Sequence, residues 1–204
     1  MIRRRPLRRR PLARRRPLRR PPVGGRRPIL PPKVRRELSQ ANALMAAGKS
    51  AQAAEHFGRL SEKAQKNRMP IRAADLALQA SRAHFSADNI PAALNWARRG
   101  LHLLIRGGRV GRVPRLLDKM TAKLREKGYD AEADQLQQDV TQALEEAGLS
   151  LDDAAQQAPT IPQQRGTLPA KCDGCGAPLI PDEVEWHDAH TAECPYCGTI
   201  AKAT

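Results

Sequence analysis

Two CxxC pairs constrain this chain more than anything else in it. They are Cys172-Asp-Gly-Cys175 and Cys194-Pro-Tyr-Cys197, separated by eighteen residues, and they hold all four cysteines of the 204-residue chain. Two such pairs at this separation read as a four-sulfur zinc site. A two-residue gap lets one tight turn aim two thiolates at one ion. Two turns complete a tetrahedron at Zn–S distances of about 2.3 Å. Gly176 and Gly198 follow the pairs, where glycine supplies the positive φ that such turns favour. Gly174 and Pro195 tighten the loops. Strand character is read at residues 178–180, 184–186 and 199–201. So short a segment cannot bury a self-sufficient core, so a metal must supply the folding energy.

With the knuckles CDGCG and CPYCG, residues 168–204 resemble a zinc ribbon with rubredoxin-like knuckles. The resemblance implies a small β fold holding one structural Zn2+ on Cys172, Cys175, Cys194 and Cys197. It implies little about function, because ribbons serve many roles. Three competing readings use the same residues. Cys194-Pro-Tyr-Cys197 matches the glutaredoxin dithiol, but that fold needs most of a domain after the motif and only seven residues follow Cys197. Disulfides are disfavoured because the chain shows no secretion signal, and reducing cytoplasm favours metal on its cysteines. His187 and His190 lie between the pairs, but four cysteines already fill the tetrahedron. They are read as exposed loop residues.

The front of the chain is of another kind. Residues 1–32 carry thirteen arginines and no acid, and repeat Arg-Arg-Arg-Pro-Leu three times. Proline at this frequency forbids a helix and like charges repel, so an extended, disordered arm is expected. Arg3, Arg4, Arg5, Arg8, Arg9, Arg10, Arg14, Arg15, Arg16, Arg19 and Arg20 are its candidate polyanion contacts. Nucleic acid and an anionic lipid surface both fit. No apolar run suits a signal peptide or a membrane span, so the expected compartment is the cytoplasm.

From residue 33 to 148 the apolar spacing becomes helical. Six helices are expected, broken at Gly48, Pro70, Asp88-Asn89, Gly107-Gly108 and Gly128. Their inner faces include Leu38 and Ala41; Ala53, Phe57 and Leu60; Ala73, Leu76 and Ala80; Ala93, Leu94, Leu101 and Leu104; Leu117 and Leu124; and Leu136, Val140 and Leu144. Ala53, Ala92 and Ala131 recur every thirty-nine residues just after hairpin turns. Ala53 with Phe57, and Ala92 with Trp96, are similar to the alanine and aromatic of the second helix in tetratricopeptide repeats. The resemblance implies about three stacked antiparallel hairpins. The period is longer than in that family, and the first-helix Trp-Leu-Gly-Tyr signature is missing. A compact six-helix bundle is the alternative. The expected fold class is therefore mainly α, with the ribbon appended. Residues 149–167 are polar with two prolines and read as a linker that leaves the ribbon tethered.

No catalytic constellation is present: no GxSxG, P-loop, GxGxxG or HExxH. His56, His84 and His102 lie on different helices, and Asp152-Asp153 and Asp182-Glu183 read as solvated charge. The expectation is a non-enzymatic, zinc-binding adaptor whose hairpins and ribbon dock partner proteins. The alternative is a nucleic-acid-associated protein that grips phosphate with its arm and basic helices. Charge separates the two in part. Residues 33–129 carry twenty basic and seven acidic groups, whereas residues 130–204 carry three basic and fourteen acidic. An acidic ribbon is a poor grip for phosphate.

Overall fold

The computed structural model describes residues 31–158 and 165–204. The arginines from Arg3 to Arg20 lie outside the described residues. Six longer helices follow one another: α1 (Pro32–Ala46), α2 (Ser50–Lys66), α3 (Pro70–Ser86), α4 (Ile90–Arg106), α5 (Val113–Glu126) and α6 (Asp130–Glu146). A 3-10 turn at Val110–Arg112 precedes α5, and a short α7 (Leu151–Gln156) follows α6. The strands are β1 (Glu185–Trp186), β2 (Thr191–Glu193) and β3 (Ile200–Lys202).

The helices obey a period of twenty residues. Gly48, Arg68, Asp88, Gly108, Gly128 and Gly148 all take positive φ, from 57° to 82°. Beside each, one backbone bond closes the preceding helix. Lys49 N–H donates to Leu44, Met69 to Ala64, Asn89 to His84, Arg109 to Leu104, Tyr129 to Leu124 and Leu149 to Leu144. This is the left-handed stop that satisfies the last carbonyls of a helix. Prolines at the first turns of α1, α3, α4 and α5 cost no hydrogen bond there, and Asn89 caps α4 by accepting from Ala92 N–H at 3.2 Å.

The same period runs through the core. Ala53, Ala73, Ala93, Val113 and Ala133 are all buried. Small side chains there let backbones approach. Buried Ser61 Oγ donates to Ala73 O at 2.8 Å, and Ser81 Oγ donates to Ala93 O at 2.7 Å, one helix later. The thirty-nine-residue alanine register is corrected by this: Ala131 is exposed and Ala92 half-buried, while Ala93 and Ala133 face inward. Helices α1, α2 and α3 each pack on the next; α4 and α5 both pack mainly on α6 beyond that point and only slightly on each other, which leaves a gap beside them.

The strands form one antiparallel sheet in the order β1-β2-β3, with Trp186 opposite Ala192 and Ala192 opposite Ala201. One expected strand fails and one unexpected strand forms. Residues 178–180 supply only an isolated bridge from Pro178 to Lys171, and β2 arises at Thr191–Glu193, which is polar in sequence.

The tethered ribbon is corrected too: it is seated on the helices. Tyr196 packs on Phe57, Arg72 Nη2 donates to the Cys197 carbonyl at 2.9 Å, and Arg82 pairs with Glu183. Arg109 lies 3.1 Å and Arg112 3.7 Å from the Glu185 carboxylate. Glu183 is therefore an anchor for the ribbon, whereas the Asp182 carboxylate stays 68% exposed, as solvated charge should. Part of the expected linker is also structured. Ser150 caps α7 by accepting from Asp153 N–H at 3.1 Å, while the Asp153 carboxylate accepts from Ser150 N–H at 2.9 Å.

Candidate metal centre and the adjoining groove

The two knuckles have the same backbone. Gly176 N–H donates to Cys172 O at 2.8 Å, and Gly198 N–H to Cys194 O at 2.9 Å. Cys172 N–H donates to Ala177 O at 2.8 Å, and Cys194 N–H to Thr199 O at 2.9 Å. Gly176 and Gly198 take φ of 72° and 73°, which closes each turn without a Cβ clash. The third position of each knuckle differs. A Cβ on Gly174 would fall 2.2 Å from Thr199 Oγ1 and 3.2 Å from Cys197 Sγ, so only glycine fits there. Its counterpart is Tyr196, which points outward onto α2.

All four cysteines are buried and free of disulfides, and their sulfurs lie within 4.8 Å of one another. Cys172 Sγ is 3.5 Å from Cys197 Sγ, and Cys175 Sγ is 3.8 Å from Cys194 Sγ. A tetrahedron with metal–sulfur bonds of about 2.3 Å has an edge of about 3.8 Å. The four cysteines are thus spaced to hold one metal ion. Without a cation, four such sulfurs share protons. Hydrogen bonds from Cys175, Cys194 and Cys197 hold Cys172 far below the ordinary thiol range. The same sharing, led by Cys172, pushes Cys175 and Cys194 far above it. Gly174 N–H, 3.3 Å from Cys172 Sγ, adds a donor to the thiolate. Thiolates are the ligand form, so a divalent ion would take the place of the shared protons.

The histidines stay apart from this cluster. His187 Nε2 lies 3.3 Å from Glu193, and His190 is exposed, its N–H donating to Asp188 at 2.7 Å. His56, His84 and His102 are half-buried on separate helices. Tyr196 is the residue that sequence reasoning missed. Its signal was weak: an aromatic in a knuckle position where its twin carries glycine.

Beside the seated ribbon, the space between α3, α4 and α5 forms a groove of about 750 Å³. Leu78, Leu94, Leu116, Met120 and Leu124 give it an apolar floor, and ribbon residues 182–185 close one end. No helix among the described residues is long and apolar enough to cross a membrane. Comparison with known proteins finds no matching family, no matching curated protein and no matching solved structure.

Proposed function

We propose that this chain is a non-catalytic, zinc-binding adaptor, in which tetratricopeptide-like hairpins and a zinc ribbon form one docking platform for a partner protein. The observation that carries this reading is the groove of about 750 Å³, apolar in its floor and lined along the length of α5. Apolar grooves receive the apolar face of an amphipathic partner helix. Zinc is the favoured ion because four thiolates at tetrahedral spacing suit it, and a saturated four-sulfur shell leaves no open position for catalysis. The twenty-residue helix period supports the hairpin array, and the free cysteines fit a reducing, cytoplasmic setting.

The thirteen arginines of residues 1–32 favour a second reading, binding to nucleic acid. Against it, Arg82, Arg112 and Arg115 on the helices face ribbon carboxylates. Co-purification from native lysate, with and without nuclease, tests the choice. It should be run on the full chain and on a chain starting at Lys33. The adaptor reading expects protein partners that survive nuclease and need no arm. Capture that vanishes with nuclease or with the arm would sink it.

A further inference from the structure

We propose that the half of the groove away from the ribbon seats an acidic amphipathic helix supplied by a partner protein. This rests on the adaptor reading and names the chemistry of the partner.

Two ladders of side chains run along α5. Arg115, Lys119, Lys123 and Lys127 follow one another at four-residue steps, the last at the helix C-cap. Leu116, Met120 and Leu124 form a parallel ladder one position on, and both ladders line the groove. Four residues of helix rise about 6 Å. Another helix laid alongside presents its own side chains at the same step. Leucines at every fourth residue would meet Leu116, Met120 and Leu124. Glutamates at every fourth residue would meet the lysines.

Charge separates the two ends. At the ribbon end, Arg82, Arg112 and Arg115 already face Glu183, Glu185 and Asp182. At the far end, Lys123 and Lys127 share the lining with one carboxylate, Glu126. Lys119 sits between the two ends, its Nζ donating to the Asp182 carbonyl of the ribbon at 2.9 Å. Lys123 has no partner among the described residues. Lys127 lies over the Phe85 ring at 4.6 Å and pairs with Asp88, whose side chain is 73% exposed. Covering this end with a neutral or basic helix would bury Lys123 uncompensated, which is costly. An acidic helix pairs it.

Other occupants fit less well. The chain's own arm is basic. Helix α6 is acidic, but Ala133, Leu136, Val140 and Leu144 are buried in its own core, so a second copy cannot offer that face. A polyanion without an apolar side would leave the floor wet.

The probe is a fluorescein-labelled peptide of about sixteen residues with leucine and glutamate ladders at four-residue steps, long enough to form a helix on binding. A scrambled peptide of the same composition and a lysine-for-glutamate peptide are the controls. Anisotropy is read on the zinc-loaded full chain at about 0.15 M salt. The ladder peptide should bind at least about ten-fold tighter than either control. Lys119→Glu, Lys123→Glu and Met120→Glu should each erase that preference, and Lys123→Arg should keep it. Equal binding of ladder and scrambled peptides would assign the capture to the arginine arm and overturn the proposal. A preference untouched by Lys123→Glu, or no binding at all, would overturn it as well. A nuclease-resistant lysate partner whose capture ignores Lys119→Glu and Lys123→Glu would leave the adaptor reading standing and remove only this seat.

Discussion

Tyr196, between the clustered cysteines Cys194 and Cys197, lays its ring on Phe57 of α2, with centroids 6.0 Å apart and planes at 44°. Both residues are buried, and burial pushes the Tyr196 hydroxyl up to about 12. One knuckle of the cysteine cluster is therefore part of the helical core. Phe57→Ala should cost about 3–5 kcal/mol in urea unfolding. It should also speed amide exchange at the second knuckle, which a free-standing ribbon would not show. A loss below about 0.5 kcal/mol would contradict this packing.

Leu101 and Leu94 lie two turns apart on α4, and both were expected inside. Leu101 is fully enclosed, while Leu94 is 8% exposed and borders the groove. Leu101→Ala should cost about 2–5 kcal/mol, and Leu94→Ala less. The reverse order by denaturant unfolding would mean that the groove is not open beside α4.

Arg68 holds φ of 57° at a helix end where four of its five counterparts have φ from 71° to 82° on glycine. The left-handed region costs an L-residue about 1–2 kcal/mol. Arg68→Gly relieves that cost but loosens the unfolded chain by about 0.4–1 kcal/mol. The expected net is a small rise in the urea midpoint. A clear fall would show that the exposed Arg68 side chain does something the backbone argument omits.

How much of this was legible beforehand depended on the range of the interaction. The knuckles were, because Cys172–Cys175 and Cys194–Cys197 are local patterns whose spacing dictates their chemistry. The buried faces of α2 and α4 were too, since Phe57, Leu60, Leu101 and Leu104 repeat at helical steps. The alanine register slipped because Ala92 and Ala93, and Ala131 with Ala133, sit close together. Only the helix stops at Gly48, Asp88 and Gly128 select the forty-residue hairpin phase. Helix α7 had a signal in Ser150 and Asp153, three apart, which the polar linker composition masked. The seating of the ribbon was not readable. It depends on Arg72, Arg82 and Arg112 meeting Cys197, Glu183 and Glu185 across long stretches of chain, and no local pattern announces such pairs.

The arginine arm makes its own prediction. Residues 1–32 supply thirteen cations with no acid among them. Binding of the full chain to duplex DNA should fall with salt at a logarithmic slope of about −0.9 per phosphate contacted, and should not depend on sequence. A chain starting at Lys33 should lose most of that affinity in the same titration. Equal affinity of the two chains would move the binding to the helices.

The central claim is that four cysteines hold one zinc ion in a ribbon seated on the helices. Elemental analysis of the purified chain, combined with amide exchange before and after chelation, tests it most directly. The account predicts one zinc per chain. Chelation, or Cys175→Ser, should release protection across residues 168–204 and raise exchange around Phe57 and Arg72, while the helical circular dichroism stays nearly unchanged. Purified protein without metal and with its cysteines in disulfides would contradict the account, as would chelation that leaves residues 168–204 fully protected.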